Sequence, residues 1–247
     1  MTGGSIVGIA LLLPDVLGTY SDRGNATVLA QRLNWRGIPA EVLAVAADMT
    51  APTSCDVYVL GGGEDAAQTY AAQWLLGQPA LLTSMGTAQV LAVCAGLQVL
   101  GHWMQDADGR RVSGAGVVDV TTAAGRQRAI GELVADCAET KTQTLTGFEN
   151  HRGRTTLGPG ATPLSRVRSG TGNGDGTDGV LTATTVATYM HGPVLARNPD
   201  LADLILRRAT GRSLHELDVP DQAAARDLHL TRARARRPRS RFGSAGS

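Results

Sequence analysis

Apolar and polar positions alternate along the first hundred residues in a way that predicts strands separated by helices. Ser5–Leu13 is an unbroken aliphatic run ended by Pro14-Asp15, the pattern of a buried strand. From Asn25 to Trp35 the apolar residues Val28, Leu29 and Leu33 recur at helical spacing, and Gly37 stands where a C-cap belongs. Ala40–Ala44 and Asp56–Leu60 are short β-rich runs, the second emptying into Gly61-Gly-Gly-Glu-Asp65. Helical spacing returns over about 66–76 and again up to Ala88, before a strand at Gln89–Val93. Strands alternating with helix-length connections predict a parallel sheet, whose active groups gather at the carboxyl ends of the strands. Gly61–Gly63 and Cys94 both fall there.

Beyond Gly101 the texture shifts to shorter β-like segments near Val117–Thr122, Thr144–Glu149 and Thr155–Leu157. Ser169–Gly179 is glycine-rich and polar, which predicts an exposed loop. Gly179–Tyr189 then reads as a strand. Pro199–Ala209 reads as an amphipathic helix through Leu201, Leu204, Ile205 and Ala209, with Asn198 as its N-cap. A last helix is expected within Leu214–Ala235, with Pro238 closing it. These readings divide the chain into a catalytic-size domain over 1–212, a helical extension over 213–236 and a disordered tail over 237–247.

The 247 residues suffice for one large α/β domain or two small ones, and a hydrophobic fraction of 43% with only 4% aromatics predicts a closely spaced aliphatic core. Net charge is +1, so nothing draws the whole chain to nucleic acid or to a membrane surface. The basic residues crowding Arg226–Arg241 read as a solvated C-terminus, because Gly243–Ser247 extends them without a large apolar side chain; contact with phosphates is the alternative. No stretch reaches the roughly 18 to 20 apolar residues of a membrane span, and no signal-peptide pattern opens the chain, so the expected location is cytoplasmic. Cys55, Cys94 and Cys137 are too widely spaced for a disulfide framework or a paired zinc site, and are expected as reduced thiols with no bound metal.

Cys94 interrupts the run Val90-Leu-Ala-Val-Cys-Ala-Gly-Leu-Gln-Val-Leu-Gly101, between a strand and the opening of a helix. A cysteine among Val and Ala is commonly core packing. At a strand-to-helix turn, however, a helix N-terminus offers unpaired N–H groups and positive potential, which favour a nucleophilic thiolate and an oxyanion formed by its attack. His191, in Ala187-Thr-Tyr-Met-His-Gly-Pro193, also follows a predicted strand. It could meet Cys94 at the sheet edge as base and then acid, although one histidine at a strand end is also an ordinary packing residue.

The elbow Ala92–Gln98, the earlier Leu60–Gly63 and the late Tyr189–Gly192, in this order, resemble a class I, triad-type glutamine amidotransferase over most of the chain. The resemblance implies a flavodoxin-like α/β fold, a central mostly parallel sheet with helices on both faces. It implies Cys94 as nucleophile on the side-chain amide of L-glutamine, His191 as its base, and Gly62 and Gly63 as oxyanion donors. Standard members carry Glu two residues after the histidine, where this chain has Pro193. That departure is similar to the cobyric acid synthase-like branch. Within it, Leu13–Asn25 and Gly147–Thr155 resemble the glutaminase subunits that serve peptidoglycan amidation.

Such a subunit implies a division of labour in a heterodimer. This chain would release ammonia, with no cofactor of its own. A separate Mur-ligase-like subunit of the MurT type would use ATP and Mg to activate the D-glutamate α-carboxyl of lipid II and form D-isoglutamine. Consistent with ATP use elsewhere, Gly61–Gly63 is not followed by the Gly-Lys-Ser/Thr of a phosphate-binding loop.

Arg128 matches an arginine that the family places near its site, where a guanidinium fork would hold the glutamine α-carboxylate; a surface role is the alternative. Gln98 is expected to contact substrate or to lie on a helix surface. Asn150, His151 and Arg152 would shape the pocket or the partner contact, with His151 as an alternative base. The missing acid leaves Glu149 or Asp200 to orient His191, or a partner to supply the group. Two rival readings remain: ammonia delivery to another acceptor, such as a corrinoid carboxylate, or a binding module on the same fold.

Overall fold

A computed structural model describes residues 6–18, 22–106 and 108–235. In chain order its elements are β1 (Val7–Leu12), α1 (Arg23–Asn34), β2 (Ala40–Val45), β3 (Val57–Leu60), α2 (Asp65–Leu76), α3 (Pro79–Met85), β4 (Gln89–Val93) and α4 (Ala95–Leu100). There follow β5 (Trp103–Gln105), β6 (Arg111–Ser113), β7 (Val120–Asp136), β8 (Thr144–Leu157), β9 (Ser165–Ser169), β10 (Thr177–Asp178), β11 (Val180–Leu181) and β12 (Thr185–Thr188). The chain then forms α5 (Val194–Arg197), α6 (Pro199–Thr210) and α7 (Pro220–Ala235).

The first sheet runs β11-β12-β4-β3-β1-β2, parallel except for the short antiparallel edge β11. Its five parallel strands have the doubly wound order of flavodoxin-like folds, which leaves a crevice at their carboxyl ends. Every residue of β3, β4 and β12 is buried, and β1 nearly so, because inner parallel strands are covered on both faces and need no polar alternation. Two helix groups do the covering: α1 packs with α5 and α6, and α2 packs with α3 and α4. In α6 the amphipathic spacing buries Leu201, Leu204 and Ile205, and Gly211 ends the helix in a left-handed conformation (φ 64°).

The second half departs from the sequence-based expectation. The three short β-like segments are parts of two long antiparallel strands, β7 and β8, in a second sheet ordered β10-β9-β7-β5-β6 with β8 on the free side of β7. Glycines that read as strand breaks are required by close packing inside the ribbon. A side chain at Gly147 would collide with Met190, and one at Gly153 with Gln98 and Tyr189. The ribbon also carries a register shift between Ala124 and Ala129, which turns the Gly125–Arg128 segment out of the ladder.

The Ser169–Gly179 stretch is likewise not a free loop. Asn173 and Asp178 are buried, Thr177–Asp178 pairs with β9, and Asn173 closes the turn through its side chain to Gly179 N and O, both at 3.0 Å. The expected strand over Gly179–Tyr189 is a tight hairpin of β11 and β12. Asn198 is the N-cap of α6 as expected, but its side chain makes no capping bond and instead bonds Thr146 N, Thr146 O and Val194 O, tying the helix to β8. In the extension, α7 packs on α5 and β7, with Arg226 reaching Thr142 and Thr144 O. The tail expected to be disordered, 237–247, lies outside the described residues. No helix among the described residues is long and apolar enough to cross a membrane.

Candidate active site

Four loops at the carboxyl ends of β1, β3, β4 and β12 converge on one point. Cys94 follows β4 directly, with φ 52° and ψ −103°, a conformation that side chains other than glycine rarely adopt. Its N–H donates to Thr188 O (2.8 Å), and the chain turns at once into α4, lifting the thiol above the sheet. Gly96 makes the turn possible, since a Cβ there would lie 2.9 Å from Leu60 Cβ and 3.0 Å from Leu60 O. Cys94 is 3% exposed, while Cys55 and Cys137 are free thiols elsewhere in the chain.

His191, 2% exposed, stands just past β12, and its ring interacts with the Cys94 side chain. Its backbone is held by β8: His191 N donates to Phe148 O (2.8 Å) and Phe148 N donates to His191 O (3.2 Å). The second sheet therefore fixes where the imidazole stands. Asp178, buried beneath the same segment, accepts from Thr188 Oγ1 (2.6 Å) and Tyr189 N (3.1 Å); burial pushes its carboxyl up to about 6.

The acid on the other side of His191 belongs to this chain. Asp22 Oδ2 lies 3.0 Å from His191 Nδ1 and accepts the Gly62 N–H at 2.8 Å, in a position closed to solvent. Neither Glu149 nor Asp200 plays this part. Glu149 bonds His151 and the 171–172 backbone, and Asp200 accepts from Thr142 N (2.9 Å). Nor does the acid have to come from a partner. Burial alone would lower the proton affinity of His191, but bonds to Asp22 and Cys94 outweigh it and raise the pKa to about 10. The ring is thus a strong proton holder.

Asp22 is the one residue of this trio that the sequence reading did not pick out. It lies within the Leu13–Asn25 string, of which two nearby residues also meet the histidine loop. Gly24 packs against Pro193, and Asn25 Oδ1 accepts from Leu195 N at 3.0 Å. Pro193, at the position of the usual acid, is thus packed on the start of the segment that supplies an acid from another strand.

The glycine run earns its composition here. A Cβ on Gly62 would lie 2.5 Å from His191 Cε1 and 3.1 Å from Asp22 Oδ2. Because the Gly62 N–H goes to Asp22, its expected role as oxyanion donor is not what the structure shows; Gly63, which lines the cavity, is the better placed of the two. Gly62→Ala is expected to displace the imidazole and lower turnover roughly a hundredfold. Steady-state kinetics beside a circular dichroism spectrum would check that the fold survives.

Beside Cys94 opens a cavity of about 280 Å³, whose walls include Gly63, Gln98, Arg128, Asn150, His151 and Arg152. The structure therefore brings all of the expected pocket residues together. Arg128 sits at the mouth, its Nε donating to Asn150 Oδ1 (2.6 Å) and its terminal nitrogen 3.9 Å from Glu64 Oε2, leaving the guanidinium partly exposed toward a ligand. Gln98 is buried and donates to the Tyr189 hydroxyl (3.2 Å) rather than lying on a helix surface. His151 is unsuited as a base, since both ring nitrogens are engaged, Nδ1 by Gly153 O (3.1 Å) and Nε2 by Glu149 Oε2 (3.2 Å). Among the described residues no group of three or more His, Cys, Asp or Glu is arranged to hold a metal ion.

A cysteine, a histidine and an acid aligned at the carboxyl ends of a doubly wound sheet define a class. The chain belongs to the family of the CobB/CobQ-like glutamine amidotransferase domain, whose model matches residues 8–199. More particularly, it is similar to the GatD subunit of the glutamine-hydrolyzing lipid II isoglutaminyl synthase from Staphylococcus aureus (strain N315), 31% identical over 231 residues that cover 90% of this chain and 93% of the relative. The GatD subunit from Streptococcus pneumoniae (strain ATCC BAA-255 / R6) is 33% identical over 202 residues, covering 78% and 76%. A cobyric acid synthase from Pelotomaculum thermopropionicum matches over 42% of this chain but only 22% of its own length, at 36% identity. Among solved structures, a glutamine amidotransferase has the same fold with a TM-score of 0.55 at 18% identity, covering 82% of this chain and 98% of the other.

Proposed function

We propose that this chain is the glutaminase subunit of a lipid II isoglutaminyl synthase. The observation that carries the reading is the line of Cys94, His191 and Asp22 beside a cavity of amino-acid size. Similarity to GatD proteins over most of their length supports the particular assignment.

In this reading the side-chain amide of L-glutamine enters with its carbonyl carbon above Cys94 and its α-carboxylate toward Arg128. The sulfur attacks that carbon with its proton already resting on His191 Nε2, where the raised proton affinity of the ring holds it; Asp22 keeps the ring oriented and its charge balanced. The oxyanion points to the N–H groups of Gly63 and of Ala95, the residue after the nucleophile. Collapse breaks the C–N bond, His191 returns the proton to the departing nitrogen, and ammonia leaves. Water then cleaves the thioester, with His191 as base, to give glutamate and the free thiol.

The ammonia passes to a separate MurT-like ligase, which holds ATP and Mg and activates the D-glutamate α-carboxyl of lipid II. The shorter match to cobyric acid synthase favours a second reading, in which the acceptor is a corrinoid carboxylate. The two are separated by mass spectrometry of products formed from glutamine and ATP with each candidate synthetase. Conversion of lipid II carboxyl to carboxamide, dependent on both this chain and a MurT-like ligase, is expected. Amidation of a corrinoid instead, with lipid II untouched, would assign the second acceptor.

A further inference from the structure

The segment that follows His191 is tied down by contacts that the chemistry above does not use. Gly192 (φ 124°) is a joint of wide backbone freedom between the imidazole and α5, so contacts outside the joint have to set its angle. A Cβ on Gly192 would lie 3.8 Å from Arg197 Nε and 3.9 Å from Arg197 Cδ, which places the arginine side chain back beside the glycine. Its guanidinium grips Glu132 with two bonds, Nη1 to Oε2 (2.8 Å) and Nη2 to Oε1 (3.2 Å), in a mostly buried ion pair.

The place of Glu132 gives this grip its meaning. In the β7–β8 ladder it stands opposite Phe148, the residue whose N–H and C=O both bond the backbone of His191. Glu132, Phe148 and His191 therefore form one row across three adjacent segments, and Arg197 returns to that row from the end of α5. The 191–197 segment is held at both of its ends by the same row. A further hold comes from α7. Arg197 Nη2 meets His229 Nδ1 at 2.8 Å, and Gln222 Nε2 donates to Ala196 O (2.9 Å) while Gln222 Oε1 accepts from Arg32 Nη1 of α1 (3.2 Å). The matched family domain ends at residue 199, so α7 lies beyond it. Arg197, Glu132, Gln222 and His229 all stand outside the walls of the cavity beside Cys94, so they act on the site through the histidine segment.

We propose that Arg197 is a positioning residue for the cysteine chemistry and that α7 is its brace: together they fix the Gly192 joint and with it the approach of the His191 ring to Cys94. The C-terminal extension is by this account a working part of the site. The kinetic arm of the test rests on the glutaminase reading; the alkylation arm does not.

Alkylation of Cys94 by iodoacetamide, followed on the full chain by peptide mass spectrometry, reads how well His191 serves the thiol without any glutamine present. Arg197→Met is expected to slow it about tenfold in a chain that carries His191 and to change nothing further in a His191→Ala chain. Arg197→Lys is expected to restore part of the rate, and Gln222→Ala with His229→Ala to slow it roughly threefold. In glutamine hydrolysis Arg197→Met is expected to lower kcat about tenfold and leave KM within about twofold. Should Arg197→Met not fold, Glu132→Gln, which keeps the size of the side chain, carries the same expectations. Equal slowing with and without His191 overturns the proposal, as does an unchanged alkylation rate or a raised KM at unchanged kcat. Absence of hydrolysis in the wild type with every ligase would count against the glutaminase reading alone, since alkylation still decides the positioning.

Discussion

Replacing Cys94 by serine is expected to lower glutamine-dependent ammonia release at least about a thousandfold, without loss of folded protein. A hydroxyl at that position has the size to fit the elbow, but its proton is held far more tightly than a thiol's, and the His191 ring is built to receive a proton from sulfur. The strained elbow (φ 52°) tolerates the exchange, because serine asks no more of the backbone than cysteine. Stopped assays of ammonia beside thermal denaturation check both halves. Release at the wild-type rate from Cys94→Ser would remove the sulfur from the mechanism altogether.

Asp22→Asn is expected to have the second largest effect, lowering kcat by roughly 10²–10⁴-fold. The carboxylate holds Nδ1–H and leaves Nε2 to face the thiol; an amide can present N–H instead, stabilise the wrong tautomer and compete with the Gly62 N–H for the same space. Stability should change with a defined sign as well. The folded-state pKa of His191 is raised to about 10 from an ordinary 6.5, so its protonated contacts stabilise the fold fully below about pH 6.5. That contribution is lost as pH rises through about 10. The wild-type advantage over Asp22→Asn in urea denaturation should therefore be large at pH 6 and shrink toward pH 10. An advantage that grows across that interval would mean Asp22 stabilises a neutral ring.

The parallel half of the fold was legible in the sequence because inner parallel strands are apolar without alternation and each is followed by a helix-length connection, as β1, β3 and β4 are. Cys94 and His191 were legible for a related reason: Cys94 directly follows such a strand, and His191 stands three residues past the end of another. Asp22 was not, because its partner lies 169 residues away and only the order of strands across the sheet brings the loop after β1 to the loop after β12. The long ribbon was hidden by glycines that look like punctuation. At Gly147 and Gly153 they serve close packing against Met190 and against Gln98 with Tyr189, a need that only the tertiary neighbours reveal. The buried turn of 170–178 was masked in the same way, since its polar groups are satisfied by Glu149 and Asn173 rather than by water. For Gly62 the expected contribution to the site was right in place and different in kind: the residue admits His191 and holds Asp22.

In the proposed reaction Cys94, served by His191 and Asp22, attacks glutamine in the cavity beside it. The most direct measurement is covalent trapping: the intact chain, with and without a MurT-like ligase, is incubated with a diazoketone analogue of glutamine and mapped by peptide mass spectrometry. A single adduct on Cys94 is expected, suppressed by excess L-glutamine and slowed in Asp22→Asn. Adducts spread over Cys55 and Cys137, or an adduct on Cys94 that glutamine does not suppress, would contradict this reaction.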